Sequence, residues 1–163
     1  YLPGNAIGLG LITIVGQCIG AGEKGQAKQY TRQLTGINYA ILLVLCTVMI
    51  VFGGQLVGIY QLSPEASAIS KQMITAHSIA MVVWPLAFTI PYTLRASLDA
   101  KFTMAVSVFS MWVFRIAFAY LFVRVFQLGV MGVWYGMFID WIFRAAVFSL
   151  RFHGLERRAV SVS

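Results

Sequence analysis

The sequence predicts an all-α integral membrane protein with five transmembrane helices. Of its 163 residues, 60% are hydrophobic and only 10% are charged, whereas soluble domains carry about 25% charged residues. No charged residue occurs between Arg32 and Glu65, or between Lys71 and Arg95. About 20 apolar residues, each adding about 1.5 Å to a helix, cross a hydrocarbon layer of about 30 Å. A soluble helix bundle would instead show a polar face on each of its helices.

Five stretches that are almost free of charge define the predicted spans. They are residues 2–20, 36–60, 73–94, 102–123 and 129–150. Each stretch is long enough to cross the bilayer as one helix. We therefore expect a single multi-pass transmembrane unit that occupies residues 1–163 and is surrounded by lipid.

The basic residues predict which side of the membrane each connection faces. The connections 21–35 and 95–101 and the tail 151–163 hold eight Lys and Arg residues, against two in the turns on the other side. By the positive-inside rule, this asymmetry predicts a cytoplasmic C-terminus in a cell membrane, as in the bacterial inner membrane. The chain begins without Met or a signal-type segment, so we expect at least one further helix before Tyr1. Nucleic-acid binding is not expected, because no soluble face displays the basic residues.

The stretch VGQCIGAGEKGQAKQ, residues 15–29, marks where the first span passes into a charged connector. Small residues recur at four- or eight-residue spacing in this span, at Gly4, Gly8, Gly16 and Gly20. This spacing lets neighbouring membrane helices approach closely, and Gly22 allows a tight turn with positive φ. Lys24, Lys28 and Arg32 then recur on one helical face, which predicts an amphipathic cytoplasmic connector over 21–35. A solvated loop is the alternative.

The third span carries the predicted contacts with a substrate. Pro85 and Pro91 each remove a backbone donor and predict a break in the helix, and broken helices mark binding regions in many transporters. A soft aromatic face accompanies the break and consists of Met81, Trp84, Phe88 and Tyr92. Such a face suits organic cations of varied shape. Packing within the protein or against lipid is the alternative.

Charged and polar side chains inside the spans are further candidates. We predict that Arg115, Asp140 and Arg144 form a buried structural cluster, because intramembrane charges pair or line a pathway. A part in moving protons or substrate is the alternative. Gln17 and Asn38 are polar enough to line a substrate cavity or to bridge two helices, and the sequence leaves both roles open.

Three parts of the sequence together resemble the multidrug and toxic compound extrusion (MATE) family. The stretch LPGNAIGLGLITIVGQCIGAGEKGQAKQYTRQ is similar to the second helix of one half of these proteins, with its VGQ-x-x-GAG end. The stretch WPLAFTIPYTLRASLDAKFTMAVSVFSMWVFRIAFAYLF resembles their tenth and eleventh helices. The stretch LGVMGVWYGMFIDWIFRAAVFSLRF resembles the last helix.

This resemblance implies a chain of twelve helices in two six-helix lobes, in which the five spans are helices eight to twelve. It implies an antiporter, coupled to protons or sodium ions, that exports small organic compounds, often cations, by alternating access. No organic cofactor is expected, and the full-length protein is expected to be monomeric. Ala96 stands where Gly is usual, and residues 77–94 lack the carboxylate of the sodium-coupled branch. We therefore expect the coupling ion to bind mainly in the N-terminal lobe.

Two other classes of protein remain as alternatives. A lipid-linked saccharide flippase of the same superfamily is expected to show a more cationic cavity, whereas much of the basic charge here lies in the turns. A membrane-embedded enzyme would require converging catalytic groups, such as HExxH or GxSxG on a helix. The sequence holds five acidic residues in separate regions and neither of these motifs, so no catalytic or metal-binding residue is predicted.

The predicted orientation is tested by single-cysteine labelling with a membrane-impermeant reagent. Reagent added from outside should label cysteines placed in the turn near Ser63–Ser67 and should not reach the turn near Ser97–Lys101. The opposite pattern would show that the basic residues face outward and would contradict the predicted topology.

Overall fold

The computed structural model describes residues 1–160, with side chains through residue 154, and these residues form helices joined by short turns. The helices are α1 (Leu2–Gly20), α2 (Lys24–Ile59), α3 (Pro64–Ala80), α4 (Ile90–Ala96), α5 (Ala100–Ser110), α6 (Phe118–Arg124) and α7 (Gly129–Val160). Two π-helical segments, Pro85–Thr89 and Met111–Ala117, precede α4 and α6.

The predicted fold class is confirmed, because the helices supply up to five membrane spans. Four continuous helical stretches are long and apolar enough to cross a bilayer, namely α1, α2, Ala100–Arg124 and Gly129–Gly154. The fifth is a pair of helical pieces, Pro64–Ala80 and Pro85–Ala96, which meet at an angle of 63°. We call this pair the bent span.

The structure differs from the predicted boundaries in three places. The connector 21–35 is not a separate helix, because α2 continues from Lys24 to Ile59. Its first turns carry two buried residues, Ala27 and Thr31, and Ala27 packs against Leu11 and Val15 of α1. The bent span begins at Pro64 rather than at residue 73. Finally, α7 extends to Val160 into the predicted tail 151–163, of which residues 161–163 lie outside the described residues.

The turn between α1 and α2 follows the predicted glycine chemistry. Gly22 adopts a φ of +80°, a conformation that costs a residue with a Cβ atom more than it costs glycine. The amide of Glu23 donates to the Cys18 carbonyl at 2.8 Å, and the amide of Gly22 donates to the Ile19 carbonyl at 3.0 Å. These bonds pair carbonyls that the end of α1 would otherwise leave without partners.

Glycines allow two pairs of helices to approach closely. A Cβ atom at Gly4 would collide with the Trp84 ring, and one at Gly8 would collide with the Tyr92 ring, so α1 packs tightly on the bent span. Gly16 and Gly20 face open space instead, which limits the predicted small-residue contact to one end of α1. On α7, a Cβ atom at Gly136 would lie 2.9 Å from the backbone nitrogen of Ala119.

The bent span lies at the centre of the packed helices. Its first core joins Trp84 and Ala87 to Leu42 of α2 and Trp141 of α7. A second core joins Ile90 and Leu94 to Phe148 of α7. In contrast, α2 exposes a long row of apolar side chains between Leu43 and Leu56, which suits contact with lipid.

The close approach at Gly136 predicts a stability difference within α7. Gly136→Ala should destabilise the purified protein by about 1–3 kcal/mol, because backbone atoms of Ala119 must move to admit the methyl group. Thermal unfolding in detergent measures this change. Gly154→Ala is the control, since a Cβ atom at Gly154 would meet no atom of another described helix within 4 Å, and it should leave the melting temperature unchanged or slightly raised. Equal melting temperatures for the two variants would contradict this packing.

Candidate functional site

The break in the bent span has an identifiable backbone cause. After α3, the amides of Val82, Val83 and Trp84 each bond to a carbonyl three residues earlier. Pro85 has no N–H group, and the amide of Ile90 bonds to the Pro85 carbonyl five residues earlier. Pro91 removes another donor one position further on. The helix therefore changes its hydrogen-bond register here, as the two prolines predicted.

Two buried polar pairs fix the bent span against α2. The Asn38 side-chain nitrogen donates to the Thr89 hydroxyl at 2.7 Å. The hydroxyls of Thr31 and Thr93 lie 3.1 Å apart. Because the Thr31 hydroxyl donates to the Ala27 carbonyl at 2.8 Å, its hydrogen is already used and Thr93 is the donor of this pair. All four paired side chains are at most 4% exposed.

The sequence singled out Asn38 but not its partner Thr89, and it did not single out the Thr31–Thr93 pair. Thr31 and Asn38 are seven residues apart on α2, so they lie on one face of that helix. Thr89 and Thr93 are four residues apart and lie on one face of the bent span. That spacing is the signal by which the two facing polar rows are recognisable. The carbonyl oxygen of the Asn38 side chain remains buried without a hydrogen-bond partner.

The predicted aromatic face is packed inside the described helices. Trp84 and Phe88 stack with ring centroids 5.1 Å apart, and Phe88 contacts the Trp141 ring edge-on at 5.7 Å. The Tyr92 hydroxyl donates to the Asn5 side-chain oxygen at 3.5 Å. Met81 is 5% exposed and Trp84 is 4% exposed. These contacts are packing within the protein, which was the alternative to substrate contact. Substrate contact through this face stays a prediction.

The remaining cavity candidate, Gln17, lies apart from the bent span. Its side chain is exposed on α1, beyond the end at which Gly4 and Gly8 contact Trp84 and Tyr92. The structure therefore brings Asn38 together with the bent span but leaves Gln17 outside this site.

Two of the three predicted buried charges form an ion pair on α7. The Arg144 Nε atom donates to an Asp140 oxygen at 2.9 Å, and another guanidinium nitrogen donates to the Ser107 carbonyl of α5 at 3.1 Å. The Arg144 guanidinium also lies 5.8 Å from the centre of the Phe88 ring. Asp140 is fully buried, and its second carboxylate oxygen has no hydrogen-bond partner. This pair thus connects α7 with α5 and with the bent span.

Arg115 is not part of this pair, which corrects the predicted three-residue cluster. The close contact between Gly136 and Ala119 sets Arg115 at the level of Asp140. Arg115 comes four residues before Ala119 and Asp140 four residues after Gly136, and the two helices are antiparallel. Even so, among the side chains that the structure describes, Arg115 forms no ion pair or hydrogen bond. Arg115 lies in the π-helical segment Met111–Ala117, whose wider turns change the direction of its side chains. Matching depth therefore did not bring the two side chains together.

A second ion pair lies at the end of α7 and is more exposed. The Arg151 Nε atom donates to an Asp99 oxygen at 2.8 Å, and the two side chains are 39% and 21% exposed. The Arg151 guanidinium also lies 4.8 Å from the centre of the Phe102 ring. This pair connects α7 to the turn before α5. Because it is more exposed, the stability lost on breaking it can be compared with the stability lost on breaking the buried pair.

These features define a multi-span α-helical membrane protein with one span broken inside its packed helices. A span broken within the packed helices, buried polar pairs beside the break and an intramembrane ion pair are typical of proteins that move solutes across a bilayer. Residues 1–121 match the MatE family. The chain belongs to that family.

Relatives and a solved structure agree with this assignment. The chain is 27% identical to a probable multidrug resistance protein NorM of Thermotoga maritima, over 98% of this chain and 35% of that protein. It is 26% identical to a probable multidrug resistance protein YoeA of Bacillus subtilis, over 83% of this chain and 29% of that protein. An inward-facing multidrug resistance MATE family transporter of the MOP superfamily has the same fold, with a TM-score of 0.73, 18% identity and coverage of 90% of this chain and 35% of that one. The chain thus spans about a third of the length of these proteins.

The buried ion pair predicts a strong loss of stability on Asp140→Asn. This change leaves the Arg144 charge uncompensated in the interior, and breaking one side of such a pair costs about 3–5 kcal/mol. Asp99→Asn is the matched control, because it breaks the more exposed pair, and exposed pairs contribute about 0–1 kcal/mol. The variants are made in the whole protein encoded by the gene, and its melting temperature and ion-coupled transport are measured on the same purified sample. Normal melting with abolished coupling would contradict the structural role of Asp140 and place it on the transport pathway.

Proposed function

We propose that this chain forms part of one lobe of a multidrug antiporter that exports small organic compounds, often cations, in exchange for protons or sodium ions. The observation that carries the proposal is the MatE match over residues 1–121, in a chain whose third span is broken at Pro85–Thr89. The two named relatives are described as probable multidrug resistance proteins, which favours a transporter over an enzyme. Alternating access would use the bent span as the element whose angle to α2 changes.

The polar pairs give this movement a physical basis. Each pair joins the bent span to α2 through one short side-chain contact, Asn38 to Thr89 and Thr31 to Thr93. Short polar contacts between membrane helices contribute about 0.6–2 kcal/mol each, which is small enough to exchange during a transport cycle. The unpartnered oxygen of Asn38 is available to a new donor after such an exchange.

The coupling ion and the orientation are further parts of the proposal. The described bent span has no carboxylate in residues 77–94, which supports binding of the coupling ion mainly by parts of the antiporter outside residues 1–163. The asymmetry of Lys and Arg between the connections favours a cell-membrane protein with its C-terminus in the cytoplasm. We propose that the whole transporter acts as a monomer.

Transport is tested with the whole protein encoded by the gene, in everted membrane vesicles across which a proton or sodium gradient is imposed. Ethidium accumulation should depend on one of the two gradients and stop when that gradient is collapsed. Residues 1–163 alone should not transport, since alternating access requires two lobes around a shared site. If ethidium accumulation by the whole protein depended on neither gradient, this result would contradict the antiport mechanism.

Thr89→Val should slow this transport. The change removes the acceptor of the Asn38 amide and leaves a buried donor unpaired, at a cost of about 1–3 kcal/mol. Thr75→Val is the control, because the Thr75 hydroxyl is exposed and donates only to the Lys71 carbonyl within its own helix. Equal rates for the two variants, at equal protein levels, would show that the Asn38–Thr89 contact has no part in transport.

A further inference from the structure

A cavity of about 520 Å³ lies between α2, α3 and α7, at the end of the protein that carries the turn after α2. Three methionines and two aromatic residues are among those that line it, namely Met49, Met73, Met81, Tyr60 and Trp134. Its volume falls within the range of about 300–1,000 Å³ that is typical of sites for drug-sized ligands. The cavity is separate from the polar pairs and from the Asp140–Arg144 ion pair, none of whose residues line it.

The chemistry of the wall restricts the ligand. Among the described residues that line the cavity there is no Asp, Glu, Lys or Arg. An organic cation would therefore enter an apolar space with no carboxylate to offset its lost hydration, which is costly. Thioethers adapt to ligands of different shape, and they contact aromatic rings favourably. The wall thus favours an uncharged, aromatic molecule.

His77 gives this otherwise apolar wall a polar group without a partner. His77 lines the cavity. Its Nδ1 atom is buried without a hydrogen-bond partner, so the nitrogen that a ligand in the cavity would meet is Nε2. Trp134 and Trp141 hold the ring edge-on, with centroids 5.0 and 5.5 Å away. A few placed polar groups in an apolar cavity typically orient the ligand, and Ser70 also lines this cavity.

We propose that this cavity is a binding site for an uncharged aromatic amphiphile, with His77 as its hydrogen-bonding group. The cavity wall shares Met81 with the aromatic face predicted to contact a substrate, but Trp84, Phe88 and Tyr92 do not line it, and the proposed ligand is uncharged rather than cationic. Its ligand is recognised by apolar area, by thioether contacts and by one hydrogen bond to the imidazole. The inference does not depend on the proposed antiport, because binding is measurable without an ion gradient.

The test is photolabelling of the whole purified protein in lipid nanodiscs. The probe is 3-trifluoromethyl-3-phenyldiazirine, which is uncharged, and mass spectrometry locates its adducts. We expect saturable adducts on the segments that contain Met49, Met73 and Met81. Excess N-phenyl-1-naphthylamine, an uncharged amphiphile with one N–H donor, should suppress them at a concentration at least about tenfold lower than the cation tetraphenylphosphonium requires. Equal potency of the two competitors, or suppression by the cation alone, would overturn the proposal.

Substitutions connect the adducts to the cavity. Cys46→Trp and Ser70→Phe enlarge two lining side chains and should each abolish the saturable adducts. Val44→Trp is the matched control on α2, because Val44 is 61% exposed and does not line the cavity, and it should leave them intact. If Cys46→Trp lowers the melting temperature, its loss of adducts could reflect misfolding, and the adducts of Ser70→Phe then decide whether the cavity is the site. Saturable adducts that persist in a folded variant with an enlarged side chain overturn the site.

His77→Phe tests the hydrogen bond separately. Phenylalanine keeps a ring between Trp134 and Trp141 but has no nitrogen. One neutral hydrogen bond corresponds to a change of about three- to tenfold in affinity, so the naphthylamine concentration for half-suppression should rise by that factor. An unchanged value would remove His77 from the site. Absence of saturable adducts in the unmodified protein would show that lipid or another part of the protein fills the cavity, and would refute the proposal.

Discussion

A backbone group that loses its helical partner inside a hydrocarbon layer has no water to replace that partner. The bent span meets this constraint at Pro85 and Pro91, which remove two donors within two helical turns. The loss of these two donors is tolerated because α1, α2 and α7, rather than lipid, cover the break. Residues around the break are among the most deeply buried in the chain, including Thr89 and Leu94 with no exposed surface. The arrangement of the other helices follows from the need to cover this segment.

Covering the break depends on how closely the neighbouring helices approach. On one side, α1 presents Gly4 and Gly8 to the large rings of Trp84 and Tyr92, for which a Cβ atom would leave no room. On another side, α2 contributes a polar row whose hydroxyl and amide groups meet those of the bent span. Small residues and short polar side chains are the two common means by which membrane helices associate, since lipid is as apolar as leucine. Both means are used here at the same segment, on different helices.

The two ion pairs show how position alters the effect of the same chemistry. Asp140 is fully buried and has one unpartnered oxygen, so its attraction to Arg144 must offset a large loss of hydration. The side chains of Asp99 and Arg151 are partly exposed, and an exposed ion pair has little net effect on stability. Arg144 additionally reaches α5 and the Phe88 ring. The buried pair is therefore well placed to fix how α5, α7 and the bent span are arranged.

The sequence by itself determined the class of protein, because charge-free stretches of about 20 residues are stable in a bilayer only as spanning helices. It also determined the break in the third span, since proline removes a donor wherever it occurs, and the i,i+4 pairing of Asp140 with Arg144. It did not determine which side chains of different helices meet. Arg115 lies at the depth expected from counting residues, but a π-helical segment alters its direction. Only the tertiary structure decided such contacts, because they depend on the rotation of each helix about its axis, which local sequence leaves free.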